Sequence, residues 1–421
     1  MRRLARLWIL GLVIFLAASL PVSTPAYSVL THEEIIDLAW NDSIRPLLLA
    51  RFPKATEAQL REAHAYAYGG SAIQDMGYYP FGKVFFSNLT HYVRSGDFIA
   101  WLFNNARTIE EYAFAIGALS HYLGDSIGHS EAVNPATAVE FPKLRRQYGN
   151  SVTYHESPYG HVRTEFAFDI DELTNQSLAP PAYLRFIGLQ VPRKFLEAAF
   201  LNTYGFSIHD VVGRAHPTLK SYRWSVRAFV PSIAEAEVVL HRHQFLPHPD
   251  SEAYRIFSER VAQTNYQRHW QHAFTGPGFR AHLLAVVVFI VPKIGVISDL
   301  AIKIPRVDTE EWYLQSVNRT VDKFGGILDS MAKSANVPFD LRNLDLDTGK
   351  PTAFGTYPPT DQAYAALLAR IVSRPDRVVL ESVQQNILRY YAAPVPPATV
   401  PSEVIVELDM LRKMQTAKAL N

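Results

Sequence analysis

Between Glu111 and Ser130 the chain reads EYAFAIGALSHYLGDSIGHS, and within it His121, Asp125 and His129 recur at a strict interval of four. Four residues advance an α-helix by about 400°, so three such side chains form one stripe that drifts only about 40° per step. Thr108 with Glu111 makes a capping box ahead of the segment, and Ile109, Tyr112, Ala113, Ile116 and Leu119 follow at helical spacing. The stripe therefore lies near the C-terminal end of a long helix. The plain alternative is a helix whose polar residues face water. An imidazole stripe ending in Gly-His, on a helix otherwise rich in Ala, Leu and Ile, is an odd solvated face and a natural holder of metal.

Length and charge bound the rest. The 421 residues carry 41 Lys and Arg against 40 Asp and Glu, with 48% hydrophobic residues, enough for one large core or two modest ones. A formal charge of +1 argues against gripping nucleic acid or a strongly anionic surface by bulk electrostatics. Arg2, Arg3 and Arg6, the apolar run 7–20 and the small residues ending Thr24-Pro25-Ala26 have the layout of a secretory signal. Cleavage after Ala26 leaves 421 − 26 = 395 residues that begin Tyr27-Ser28. The chain has no cysteine, so the expectation is a secreted or periplasmic protein without disulfides, stabilised by its core and by bound metal.

Along the chain, helical patterns dominate. Thr31 with Glu34, and Thr56 with Gln59, form further capping boxes, and Gly69-Gly70 is expected to stop the second of these helices. Asp75 falls in a loop over 71–82, His91 on a helix from about 85, and His161 and Glu165 stand four apart on a helix opened by Gly160. Helical patterns continue over 193–204, 219–240, 251–272, 278–301, 309–335, 361–372, 376–392 and 402–419, while 340–359 reads as a polar loop. Period-two alternation is scarce, so the fold class is all-α. The apolar run 283–296 is broken by Pro292 and Lys293 and falls short of the roughly 20 residues of a span, which favours a buried core helix and leaves peripheral contact with a membrane open.

Five histidines and three carboxylates, His32, Asp75, His91, His121, Asp125, His129, His161 and Glu165, lie in the first 140 or so residues after the signal. Neutral imidazole nitrogen and carboxylate oxygen are ligands that zinc accepts. One ion needs only three or four of them, so the surplus argues for a cluster. Two or three zinc ions would suit hydrolysis of a phosphate ester, by lowering the pKa of a bound water and neutralising phosphoryl oxygens. Taken alone, His161 and Glu165 could be a helix-stabilising pair, and His32, His91 or Asp75 ordinary surface or capping residues. His241, His243 and His248 in HRHQFLPH, and His269 and His272, offer a second metal patch as one reading, but solvated helix ends are expected, because the spacing of the metal stripe, with a carboxylate between histidines, is not repeated there. Tyr78, Tyr79, Phe81, Phe85 and Phe86 suit either a ligand pocket or a packed core.

In order and spacing these residues resemble the zinc-dependent phospholipase C family and, more distantly, the single-strand nucleases that share its trinuclear site. The motifs that carry the resemblance are HYLGD at 121–125 and HVRTE at 161–165. The resemblance covers about Tyr27 to Asp169 and implies a multi-helix bundle; the domain expected is 27–275, followed by a C-terminal helical extension over 276–421. It implies that Asp75, His91, His121 and Asp125 hold one zinc, and that Asp125 bridges to a second held by His32 and the amino terminus of Tyr27. His129, His161 and Glu165 would hold a third. Tyr27 stands where the family usually has Trp, and the YSVLTH spacing is closer to the nucleases. The three-residue gap between Asp125 and His129 is similar to that of the glycosylphosphatidylinositol phospholipase D branch. Asp75 could be ligand, general base or both. The expected function is an exported zinc phosphodiesterase acting on phospholipid or another phosphodiester. The alternatives are a nuclease acting on single-stranded nucleic acid, and a non-catalytic helical protein that zinc stabilises.

Overall fold

A computed structural model of the chain describes residues 29–213, 215–241, 243–244, 247–270, 277–290, 303–333 and 339–418. The signal-like segment 1–26 and Tyr27 lie outside the described residues. Helix follows helix throughout, and the only strands among the described residues are two pairs of two-residue strands. The fold is all-α.

The helix Ile109–Gly128 is the axis of the molecule, and every residue from Tyr112 to Gly128 is buried. Its Thr108–Glu111 capping box is formed. The helices Val29–Ala39, Glu57–Ser71, Ser95–Asn105 and Val307–Lys333 pack against it, so its polar stripe faces protein on all sides rather than water. The second expected box, at Thr56 and Gln59, is also formed.

Two sequence expectations fail for tertiary reasons. Gly69-Gly70 does not stop its helix, which runs through to Ser71. A Cβ on Gly70 would stand 2.2 Å from the Phe114 carbonyl oxygen, and one on Gly117 would stand 2.0 Å from that of Ala67. The glycines let two backbones touch. Gly70→Ala is therefore expected to cost about 1–3 kcal/mol or more through overpacking; an unchanged urea midpoint would contradict this contact.

The other failure is the Thr31–Glu34 box. The helix Val29–Ala39 already includes Thr31, and the amides of Leu30 and Thr31 donate to the Asp169 carboxylate at 3.0 and 3.1 Å. Glu34 instead accepts from the Ala179 amide and the Tyr266 hydroxyl. A carboxylate from another helix satisfies the open amides of this helix start.

The apolar run beginning at 283 falls in the helix Phe279–Ile290, which buries Ala281, Ala285 and Val288 but exposes Phe279, Leu283 and Val286. It is thus half-buried rather than a core helix, and 291–302 lie outside the described residues. No helix among the described residues is long and apolar enough to cross a membrane.

Buried acids cluster at one end of the helix Pro158–Thr174. Burial and the Glu310 carboxylate push Asp171 up to about 8. An acid whose folded pKa is raised contributes most stability below its unfolded pKa of about 4, and loses it as pH rises through the folded value. Stability is expected to decline between about pH 4 and pH 8, and Asp171→Asn to flatten that decline. Urea midpoints measured across this range check it, and an equal slope in the variant would contradict it.

Candidate metal centre

Five of the expected ligands meet at the middle of the bundle. His32 projects from the helix Val29–Ala39, Asp75 from the 3₁₀ turn Ile73–Tyr78, His91 from the last turn of Val84–Tyr92, and His121 and Asp125 from the axial helix. All five are buried. Asp125 lies at the hub: its Oδ1 is 3.3 Å from His32 Nε2, and its Oδ2 is 3.3 Å from His91 Nε2 and 3.0 Å from His121 Nε2. Asp75 Oδ1 is 3.2 Å from His91 Nε2 and 3.8 Å from His121 Nε2. The His32 ring stacks on that of His121 at 4.3 Å, and a Cβ on Gly124 would come within 3.3 Å of it. The glycine of HYLGD makes room for His32.

Two imidazoles have their tautomer set from behind. His91 Nδ1 pairs with the Ser87 carbonyl at 2.8 Å, and His121 Nδ1 with the Ser71 carbonyl at 2.9 Å. Carbonyls only accept, so each Nδ1 carries the proton and each Nε2 is left with a lone pair in the neutral ring. Those two Nε2 atoms face each other at 3.4 Å. Both oxygens of Asp75 and of Asp125 are buried and make no hydrogen bond of acceptable geometry. Two facing lone pairs beside two open carboxylates are costly in an apolar interior unless a cation lies among them. The donor set fits zinc.

A second group lies one turn further along. The axial helix passes at Gly128 into a π-helical turn, His129–Val133, and His129 meets His161 and Glu165 from the helix Pro158–Thr174. Glu165 Oε1 is 2.7 Å from His161 Nε2 and 3.5 Å from His129 Nε2. Neither Glu165 oxygen and neither ring nitrogen of His129 or His161 makes a hydrogen bond of good geometry, although all are buried. His32, His121 and Asp125, then Asp75, His91 and His121, then His129, His161 and Glu165 are three sets whose ligand atoms are close enough to share an ion.

Carboxylates and imidazoles of the centre shift one another against the effect of burial. Burial pulls His91 down, yet the close Asp125 and Asp75 carboxylates push it up to about 10. Burial works the other way on Asp125, but His121, His32 and His91 hold it well below the usual carboxylate range. His129 is raised against its burial by Asp347 and Glu165.

Asp347 was missed by the sequence reading. Its region is not merely a polar loop: Leu344–Asp345 pairs antiparallel with Lys350–Pro351, and Leu344, Asp345, Leu346 and Asp347 are all buried. The signal was present in LDLDTG, where apolar and acidic residues alternate ahead of a Thr-Gly turn. The later histidines also depart from expectation. His248 pairs through Nδ1 with Glu310 at 2.5 Å and lies 3.8 Å from Glu172, while His241 lies 3.2 Å from Glu237. The carboxylate partners of His248 come from distant segments, which spacing could not reveal. The aromatic residues divide: Tyr78, Tyr79 and Phe86 are buried, Phe85 is half-buried, and Phe81 is 72% exposed.

Residues 31–206 match the family described as zinc dependent phospholipase C. That segment, 176 of the 421 residues, holds all eight of the side chains from His32 to Glu165 just described, and in it the chain is similar to the zinc-dependent phospholipase C family. No curated protein and no solved structure matches the chain.

Proposed function

We propose that this chain is an exported zinc phosphodiesterase that hydrolyses phospholipid phosphate esters with a metal-activated water, using about three zinc ions. The observation that supports it most is the pair of adjoining, buried ligand groups, His32, Asp75, His91, His121 and Asp125 beside His129, His161 and Glu165, within the family segment. Bound zinc would lower the pKa of a water toward neutrality and neutralise the non-bridging phosphoryl oxygens. The residues have separate tasks. Asp125, whose two oxygens face different imidazoles, would hold zinc through both. His91 and His121 present Nε2 with Nδ1 held on main-chain carbonyls. Asp75, both of whose oxygens are buried without a hydrogen bond, would hold zinc through one and could take a proton from the attacking water with the other. The amino terminus of Tyr27, if freed by cleavage after Ala26, would add a ligand to the ion held by His32.

Hydrolysis of phosphatidylcholine and of single-stranded DNA, measured side by side with and without a chelator, tests this reading. Chelator-sensitive lipid hydrolysis is the expected result. DNA cleavage instead would keep the metals and replace the substrate, and bound zinc with no turnover of either would leave a zinc-stabilised, non-catalytic protein.

A further inference from the structure

The hairpin around Asp347 lies more than a hundred residues beyond the family segment, yet it is built into the metal centre. Its strands dock beside the His91 helix: Ser95 Oγ donates to the Leu344 carbonyl, and the Leu346 amide donates to the carbonyl of His91. At the tip Gly349 adopts φ 68°, and a Cβ there would fall 2.3 Å from the Ser126 carbonyl oxygen of the axial helix. The Asp347 carbonyl accepts from Asn134 Nδ2 at 2.8 Å. These contacts fix the Asp347 side chain from three directions. Its Oδ2 accepts from the Tyr92 hydroxyl at 2.9 Å and from the Tyr357 hydroxyl at 2.5 Å. Its Oδ1 faces His129 Nδ1 at 3.4 Å, on the side of the ring away from Glu165.

We propose that Asp347 is the positioning residue for His129: its carboxylate, 3.4 Å from Nδ1, keeps the ring proton on that nitrogen and so leaves the Nε2 lone pair facing the group formed with His161 and Glu165. Main-chain carbonyls do this for His91 and His121, and a carboxylate does it for His129. A carboxylate behind a ligating imidazole orients the ring and raises its basicity, and losing such a partner costs about 10–100-fold in metal affinity. The C-terminal region is then part of the metal centre rather than an appendage. This inference rests on the proposed metal site.

The test is zinc titration followed by metal count after dialysis, on wild type, Asp347→Asn, Tyr357→Phe and Lys350→Ala. Asparagine keeps an acceptor for the two tyrosines but no longer offers a carboxylate to Nδ1. The expected result is a loss of about 10–100-fold in affinity for one ion in Asp347→Asn, with kcat falling more than KM changes. A smaller loss in the same ion is expected for Tyr357→Phe, and none for the exposed Lys350→Ala. Wild-type affinity in Asp347→Asn overturns the inference and leaves the metal site standing. If wild type itself takes up no zinc, both fall together. Should Asp347→Asn fail to fold, Tyr357→Phe decides: unchanged affinity there also overturns the role.

Discussion

Asp125→Asn is expected to abolish function more completely than any other single substitution in the chain. Its two oxygens stand 3.0–3.3 Å from Nε2 of three different histidines, and no other carboxylate in the centre reaches as many. Asparagine keeps the volume but offers one neutral oxygen in place of two charged ones, so both ions that share the bridge are weakened. Turnover should fall by on the order of a thousandfold or more, equivalent to about 4 kcal/mol of barrier. Metal content should fall by about two ions while the His129 group keeps its own. Kinetics and metal analysis on the same preparation check this, and a variant with full metal content and near-normal turnover would remove Asp125 from the hub.

Removing the metal from wild type is expected to cost stability in a way that depends on pH. An ion present at a thousandfold its Kd stabilises the folded state by about 4 kcal/mol, so several ions should shift the thermal midpoint by on the order of 10 °C. The chelated protein has a partial substitute: Asp125 and Asp75 hold a proton on His91, whose pKa rises to about 10. A histidine with a raised folded pKa contributes fully below its unfolded value of about 6.5, and that contribution is lost as pH climbs through about 10. Zinc has the opposite preference, because its ligands must be deprotonated. The gap between loaded and chelated midpoints should therefore widen from pH 6 to pH 9. Midpoints by scanning calorimetry with and without chelator provide the check; a gap that narrows with rising pH would mean that the centre is not filled by a cation competing with these protons.

Much of the centre is written locally in the chain. An interval of four puts His121, Asp125 and His129 on one stripe wherever the helix goes, and Ile109 to Leu119 ensure that the helix goes inside. His161 and Glu165 follow the same rule, and all eight side chains assigned from His32 to Glu165 fall into the sets that the bundle brings together. Two of the three capping boxes form because Thr and its partner three residues on need nothing else.

What was illegible depends on residues distant in sequence. Asp169 caps the first helix from 138 residues away, and nothing around Thr31 announces it. Gly70 and Gly117 read as breakers or neutral small residues until two helices are laid together. Asp347 orients toward His129 only once a hairpin has docked against Ser95 and Ser126. His248 finds Glu310 and Glu172 in the same way. Local periodicity carries the ligands, and long-range packing carries the groups behind them.

The buried stripe and its neighbours are expected to hold a zinc cluster completed by the terminal amine of Tyr27. Metal content by mass spectrometry tests it most directly, on protein that begins at Tyr27 beside the same protein with one extra residue in front. About three zinc ions per chain are expected in the first and one fewer in the second, where an amide replaces the amine. Absence of stoichiometric metal from both would contradict it.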